Sequence, residues 1–150
     1  TLPARALRHL FAHSEVHLSV EWRDLTDEDW DTKVRTAQGR TVPARETAWM
    51  RTREVWIHAV DLDNGASFLD FPPEVVDELC ADVVRAWQNR GEEVDLVLAP
   101  TDRADRTTVG TGTGPTVRGR AADIARWLTG RGARRLESSA GTLPDLPRWL

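Results

Sequence analysis

The run REVWIHAVDL at residues 53–62 carries the main structural and chemical signal of this chain. Its acidic residue Glu54 and its histidine His58 are four positions apart, and Asp61 follows three positions later. An α-helix has about 3.6 residues per turn, so side chains at these spacings lie on one face of a helix. The run therefore predicts a helix with a polar stripe of two carboxylates and one imidazole.

Apolar side chains border this polar stripe on both sides of the predicted helix. Met50 and Ile57 lie along one edge of the stripe, and Val55 and Leu62 lie along the other. A stripe between two apolar edges is expected to face the protein interior, where a carboxylate and an imidazole both need partners. One such partner is a divalent metal, because two ligands four residues apart on a helix chelate zinc and catalytic zinc sites take three protein ligands. The other is a direct Glu–His hydrogen bond without a metal, and the spacing alone leaves both open.

The residues before this run predict a mainly helical first half. Residues 4–23 favour a helix, because five apolar side chains fall on one face at helical spacing. Residues 26–29 indicate a short helix or a turn, and residues 32–43 indicate a loop or a short hairpin. The helix with the polar stripe is predicted over residues 43–62, with Pro43 in its first turn and Asp-Asn-Gly as its stop. The five apolar side chains of the first helix are Leu7, Leu10, Phe11, Leu18 and Trp22.

The second half of the chain mixes helices with short strands. A linker at residues 66–71 and the Pro-Pro pair after it precede a helix predicted over residues 74–90. A last helix is predicted over residues 121–129, and the Pro- and Leu-rich tail at 143–150 is expected to dock on the body of the protein. The predicted strands cover residues 94–98, 106–109 and 116–118.

These elements predict an α+β protein with two domains. Residues 1–67 are interpreted as part of a helical bundle. Residues 68–150 are interpreted as a small mixed α/β domain, with a helix, about three strands and a final helix.

Composition argues against several classes of function. With 20 Lys and Arg against 24 Asp and Glu the net charge is −4, and nucleic-acid binding needs a basic surface, so no nucleic-acid partner is expected. No apolar run is long enough for a transmembrane helix, so no membrane partner is expected either. The single cysteine, Cys80, lies among apolar positions of a predicted helix and is interpreted as an inert core thiol, which fits a cytoplasmic location.

Two further patterns have plain structural explanations. His9, His13 and His17 recur every four residues, as in a metal-binding ladder, but they lie away from the centre of the apolar face. They are expected to be solvated, with His17 partly packed and the best placed of the three to act as a spare ligand. The sequence Gly-Thr-Gly-Thr-Gly-Pro at residues 110–115 lacks the ending of a phosphate loop and does not open a helix, so a glycine-rich turn between strands is expected.

The motifs of this chain resemble those of the mycothiol-dependent maleylpyruvate isomerase family. The string R-E-V-W-x-H-A-V-D-L at residues 53–62 is the specific part of the likeness, which extends over nearly the whole chain. The other matching stretches are LTDEDW at 25–30, GRTVP at 39–43, WMR at 49–51, VRGRAAD at 117–123, WLTGR at 127–131 and the Leu- and Pro-rich ending.

The resemblance implies a DinB-like four-helix bundle that binds a divalent metal, normally zinc, followed by a C-terminal α+β domain. It implies that Glu54 and His58 are metal ligands, together with a histidine from an earlier bundle helix. Asp61 is a candidate for a residue that holds one of these ligands in place. The C-terminal domain of the family also contributes an arginine to the active site, which we place at Arg131 in the string WLTGR. The ordinary alternative for Arg131 is a cation near the C-terminus of a helix.

The implied function is that of a metal-dependent thiol enzyme with a small-molecule substrate. Its cofactors would be zinc or another divalent metal, and mycothiol or a similar low-molecular-weight thiol. The thiolate would add to an activated double bond and isomerise it, or would be transferred to another electrophile, with Arg131 orienting a substrate carboxylate.

Compared with the family, the chain is expected to begin at the third bundle helix, so that two helices and the third metal ligand are absent. The alternative function is therefore a non-catalytic fragment or a binding or dimerisation module. Its uncovered helix faces would need a missing N-terminal segment or a second copy of the chain.

Overall fold

The structure is a computed structural model that describes residues 2–37 and 39–150. It divides the chain into two compact units, Thr1–Thr52 and Arg53–Leu150. The described residues form five α-helices and six short strands, which confirms the predicted α+β class.

The first unit contains two helices, a hairpin and the beginning of a third helix. Its elements are helix α1 (Ala4–Asp24), helix α2 (Asp27–Asp31) and the antiparallel strands β1 (Lys33–Arg35) and β2 (Thr41–Pro43). Helix α2 begins at a capping box, in which the Thr26 side chain accepts from the N–H of Asp29 and the Asp29 carboxylate accepts from the N–H of Thr26. The predicted long helix is confirmed, and of the alternatives that the sequence left open the short helix and the hairpin are those that form.

Helix α3 spans Arg45–Asp61, so it begins two residues later than predicted. Pro43 ends strand β2 instead of opening the helix, and the N–H of Ala44 donates to the carbonyl of Thr32 across the hairpin. A proline lacks an N–H and is tolerated in edge strands, which explains why it fits this place. The predicted stop is confirmed, because Asp63 has the positive φ of 49° that ends helices.

The second unit contains the rest of α3, two further helices and a four-stranded sheet. Its other elements are a 3-10 helix (Phe68–Asp70), helix α4 (Pro73–Arg90), strands β3 (Leu96–Pro100), β4 (Thr107–Val109) and β5 (Thr116–Gly119), helix α5 (Ala121–Leu128) and strand β6 (Glu137–Ser138). The sheet order is β4-β3-β5-β6, in which β3 and β5 are parallel and the outer pairs are antiparallel.

The core of the second unit lies where α4 and α5 contact each other and α5 contacts the sheet. On α4, the side chains of Leu79, Val83 and Trp87 recur every four residues and are all nearly inaccessible. They form one apolar face, as their spacing predicts. The sheet and α5 add Leu96, Leu98, Val117, Ile124 and Leu128 to the core.

Two local predictions for this unit need correction, and one strand was not predicted. Strand β3 begins at Leu96 instead of residue 94, because the N–H of Val94 donates to Glu92 in a turn and the Asp95 carboxylate binds the loop at 110–115. The predicted linker contains the 3-10 helix, which Ser67 caps. Strand β6 was not predicted, since two polar residues carry no hydrophobic alternation.

The Pro- and Leu-rich tail docks on the second unit, as predicted. The Trp87 indole N–H donates to the carbonyl of Pro147 at 3.2 Å, and Arg90 donates to the carbonyls of Arg148 and Trp149. Trp149 itself is buried.

None of the helices in the described part of the chain is long and apolar enough to cross a lipid bilayer. The domain boundary expected at residues 67 and 68 coincides with the beginning of the 3-10 helix and stays a prediction.

Candidate functional site

The second half of helix α3 carries the polar stripe. The Nε2 atom of His58 lies 3.0 Å from Oε2 of Glu54, and its Nδ1 atom lies 3.1 Å from Oδ2 of Asp61. The imidazole thus lies between two carboxylates, each of which faces a different ring nitrogen. Helical spacing alone brings these three side chains together.

The stripe is exposed, and the prediction that it faces inward is wrong. The side chains of Glu54 and His58 are 43% and 63% exposed, and that of Asp61 is 34% exposed. Only one of the two apolar edges is covered, because Ile57 is 3% exposed whereas Val55 is 50% exposed. The stripe therefore lies at the margin of the core, where a ligand can reach it.

Arg131 reaches the same stripe from the segment that follows helix α5. Gly130 adopts a φ of 77°, which glycine tolerates because it has no Cβ, and this conformation ends the helix. The Nε and Nη2 atoms of Arg131 then donate to Oδ1 and Oδ2 of Asp61 at 3.0 and 2.8 Å. Its Nη1 atom donates to the carbonyl of Thr129 at 2.8 Å. The fold thus brings the predicted arginine to the predicted stripe.

The charge of Asp61 is set by these neighbours. Hydrogen bonds from Arg131 lower the pKa of the Asp61 carboxyl below its ordinary value, and a smaller effect of His58 acts in the same direction. Partial burial opposes the shift and does not cancel it. An ionised carboxylate only accepts hydrogen bonds, so Asp61 is the acceptor in its contacts with Arg131 and, when Nδ1 carries a proton, with His58.

A second ion pair lies at the beginning of the stripe. The Nη1 atom of Arg53 donates to Oδ2 of Asp82 on α4 at 2.6 Å, and both side chains are largely buried, with 11% and 17% exposed. The Arg53 guanidinium also lies 5.2 Å from the centre of the Trp149 ring, within the range of a cation–π contact. Its Nε atom lies 3.7 Å from Oε1 of Glu54. A cation therefore adjoins the carboxylate of Glu54.

A cavity of about 440 Å³ opens beside the stripe. Its walls come from helix α3, from the end of α5 with the turn that follows, and from the C-terminal tail. The lining residues are Glu54, Ile57, His58, Trp127, Leu128, Thr129, Gly130, Arg131 and Leu146–Leu150. The cavity combines an apolar wall with an acid, an imidazole and two guanidinium groups, a mixture that is typical of small-molecule sites.

The donors of the stripe fit two ligand positions of a divalent metal. Glu54 and His58 present a carboxylate oxygen and an imidazole nitrogen to the same place, and zinc accepts both donor types. Asp61 binds the other nitrogen of the ring, as carboxylates do behind metal-binding histidines. Within residues 2–37 and 39–150 no three His, Cys, Asp or Glu side chains form a complete metal-binding group. Asp61 does not complete one, because it faces Nδ1 while Glu54 faces Nε2.

The histidines of helix α1 are exposed, as expected for a solvated helix face. The expectation that His17 is partly packed is wrong, since its side chain is 64% exposed. Its Nδ1 atom lies 3.6 Å from Oε1 of Glu21, one helical turn away.

The other two sequence patterns have structural roles. The glycine-rich stretch at 110–115 is the turn between β4 and β5, as predicted. Burial, with a smaller effect of Asp77, raises the pKa of the half-buried Cys80 thiol to about 12. The thiol is therefore protonated at neutral pH, as the interpretation of an inert cysteine requires.

Several residues around the site carry no signal in the sequence. Arg53 and Asp82 are 29 positions apart, so their spacing in the sequence does not indicate that they form an ion pair. Trp149 was expected to dock with the tail, but its place in a cavity wall depends on the fold.

Comparisons with known proteins identify both parts of the chain. Residues 1–63 match the family model of the mycothiol maleylpyruvate isomerase N-terminal domain, and residues 70–148 match that of the C-terminal domain of the same isomerase. Two solved structures are similar to the chain, a mycothiol-dependent maleylpyruvate isomerase and a histidine-to-alanine mutant of it. Each is 44% identical with a TM-score of 0.86, and the match covers 99% of this chain and 62% of the solved chain.

The chain thus spans 62% of the length of the solved structures it matches. A search of curated proteins gives no significant match. Because the two family models together account for most of the sequence, the chain belongs to the mycothiol maleylpyruvate isomerase family.

Proposed function

We propose that this chain carries part of the active site of a mycothiol-dependent isomerase that acts on maleylpyruvate or a similar activated double bond. Transfer of the thiol to another electrophile is the related activity of the same site. The observation that carries the proposal is that Glu54, His58 and Arg131 line one cavity, while Asp61 contacts both His58 and Arg131. The likeness to solved isomerases supports it.

In this proposal, Glu54 and His58 hold a divalent metal, which we take to be zinc, while Asp61 and Arg131 complete the site. When bound, such a metal lowers the pKa of a coordinated thiol, so that the thiol of mycothiol or a similar compound is ionised at neutral pH. Glu54 and His58 supply one oxygen and one nitrogen donor. With a metal on Nε2, Nδ1–H of His58 would donate a hydrogen bond to Asp61, which would hold the ring in place.

The remaining lining of the cavity suits a small anionic substrate. Ile57, Trp127 and Leu128 form an apolar wall that limits access of water. Arg131 and Arg148 add positive charge to the same cavity, and guanidinium groups attract carboxylates. A small-molecule substrate and a cytoplasmic location are part of the proposal, and the absence of a nucleic-acid partner stays a prediction.

Replacing the histidine of the stripe tests the proposal. We expect His58→Ala to lose both bound zinc and mycothiol-dependent isomerisation of maleylpyruvate, because the variant removes one of the two proposed donors. Metal content per chain and the rate of isomerisation are the two measurements. His9→Ala is the matched control, since His9 is an exposed histidine of α1, and it should retain both. Full zinc occupancy in His58→Ala would refute the assignment of the ligands.

The exposed apolar side chains of α1 favour a second candidate function. Leu7, Leu10, Phe11 and Val16 are between 48% and 64% exposed in this helix. Such a surface suits a module that is covered by another segment or by a second copy of the chain. Metal analysis and the oligomeric state separate the two functions. Stoichiometric zinc supports the enzyme, whereas a tight dimer without metal supports the module.

A further inference from the structure

Three of the five N–H donors of Arg131 bind groups of the protein itself. Its Nε and Nη2 atoms form a two-point pair with the carboxylate of Asp61, at 3.0 and 2.8 Å. Its Nη1 atom donates to the carbonyl of Thr129 at 2.8 Å. The edge of the guanidinium formed by Nε and Nη2 is therefore occupied by Asp61, and one N–H on Nη1 and one on Nη2 remain.

Asp61, which Arg131 holds in place, also contacts the imidazole of His58. Its Oδ2 atom accepts from Arg131 and also lies 3.1 Å from Nδ1 of His58. The pair with Arg131 fixes the position and the plane of the carboxylate, which a single contact from a neighbouring turn of α3 would not do. A fixed carboxylate at Nδ1 also fixes the orientation of the ring, so that Nε2 faces the carboxylate of Glu54 at 3.0 Å.

We propose that Arg131 is a positioning residue, which acts through Asp61 to hold the imidazole of His58 in the orientation that brings Nε2 to Glu54. This role differs from the direct contact with a substrate carboxylate that the family resemblance implies. The part that concerns metal affinity rests on the proposed function, whereas the part that concerns the orientation of His58 does not.

The orientation of the His58 ring gives a test that needs neither metal nor activity. Nuclear Overhauser contacts of the ring protons in the metal-free chain show which neighbours the ring faces, and His58→Ala assigns its signals among the four histidines. We expect one ring orientation with fixed contacts in the wild type, and contacts averaged over several orientations in Arg131→Met.

A matched control separates this role from a general loss of positive charge in the cavity. Arg148 lines the same cavity, but the carboxylate of Asp61 has Arg131 and His58 as its partners among the described residues. Arg148→Met should therefore leave the His58 signal unchanged. Asp61→Asn should change it, and adding Arg131→Met to Asp61→Asn should have little further effect because both residues act as one unit.

Zinc affinity provides the second measurement. We expect Arg131→Met to weaken zinc binding by about 10- to 100-fold, the usual cost of removing a residue that holds a metal ligand in place. Arg148→Met should bind zinc as the wild type does. If Arg131→Met does not fold, Arg131→Lys replaces it, since lysine keeps the charge but cannot form the two-point pair. Its effect should have the same direction.

Unchanged His58 spectra in Arg131→Met and Arg131→Lys would overturn the proposal. Unchanged zinc affinity with a raised KM for substrate would do so too, because that result indicates direct contact with substrate. A wild-type chain that binds no zinc would count against the proposed function instead, and the measurement of the His58 ring orientation would still decide the role of Arg131.

Discussion

Asp95 shows at the level of one residue how a carboxylate shapes a loop in this protein. It accepts hydrogen bonds from the hydroxyls of Thr111 and Thr113 at 2.6 and 2.8 Å and from the N–H of Gly112 at 2.7 Å. These hydrogen bonds, that of Thr111 first, lower the pKa of Asp95 from 3.8 to about 2. The glycines of the turn allow the close approach, since a Cβ on Gly114 would lie 1.8 Å from the carbonyl oxygen of Asp95.

The lowered pKa predicts a pH dependence of stability. A carboxyl group with a lowered pKa in the folded state stabilises the fold above its unfolded pKa. For Asp95 the contribution is complete above pH 3.8 and is lost as the pH falls towards about 2. We expect Asp95→Asn to lower the urea midpoint of unfolding at neutral pH, and the difference from wild type to shrink across that interval. A difference that stays constant from neutral pH to pH 2 would contradict this explanation.

His58 illustrates at the same scale what residue spacing can and cannot predict. Its contacts with Glu54 and Asp61 follow from positions four and three residues away on one helix, so they could be predicted. The exposure of the His58 side chain could not be predicted, because it depends on whether other elements pack against the neighbouring residues Val55 and Ile57. One of these two neighbours is buried and the other is half exposed.

At the level of elements, the end of helix α3 is tied to the rest of the second unit at two points. The pair of Arg53 and Asp82 joins it to α4, and the pair of Asp61 and Arg131 joins it to the segment after α5. Glu54 and His58 lie between these two attachments. The orientation of the proposed metal ligands is therefore held by residues of the C-terminal part of the chain.

The largely buried pair between α3 and α4 predicts a strong effect on stability. Asp82→Ala leaves the Arg53 guanidinium without its closest charged partner, so we expect the free energy of unfolding to fall by roughly 3 kcal/mol. Urea denaturation measures this change. Glu78→Ala is the control on the same helix, because Glu78 pairs with Arg85 at the surface, and such pairs contribute less than about 1 kcal/mol. Equal losses in the free energy of unfolding would show that the buried pair stabilises the fold no more than the surface pair does.

At the level of the whole molecule, the C-terminal tail supplies one wall of the cavity from a distant part of the chain. The hydrogen bond between Trp87 and Pro147 joins residues 60 positions apart, and that between Arg90 and Trp149 joins residues 59 positions apart. Trp149 is 5% exposed and lines the cavity. The tail thus contributes both to the core and to the shape of the site.

Removing the indole of Trp149 tests this double contribution. We expect Trp149→Ala to destabilise the fold by about 3 kcal/mol, as large-to-small replacements of buried aromatics do, and to weaken binding in the cavity because one wall is lost. Trp149→Phe keeps an aromatic ring beside Arg53 and leaves a smaller cavity, so it should cost less than Trp149→Ala. Thermal or urea unfolding compares the two. An alanine variant as stable as the phenylalanine variant would show that the tail is only loosely docked.

The sequence by itself determined the features that depend on near neighbours. Helical periodicity, turn residues and the spacing of Glu54, His58 and Asp61 predicted the class of fold, most of the elements and the polar stripe. These features are local, because a helix or a turn is set by residues a few positions apart. The motif REVWIHAVDL also indicated the family.

Only the tertiary structure decided which distant groups meet the stripe and how deeply it is buried. The partner of Asp61 lies 70 residues away, the partner of Arg53 lies 29 residues away, and the tail supplies a wall of the cavity. Charges at such separations attract one another only after the core of α4, α5 and the sheet has formed. The two-point pair of Arg131 with Asp61 therefore follows from the packing of that core.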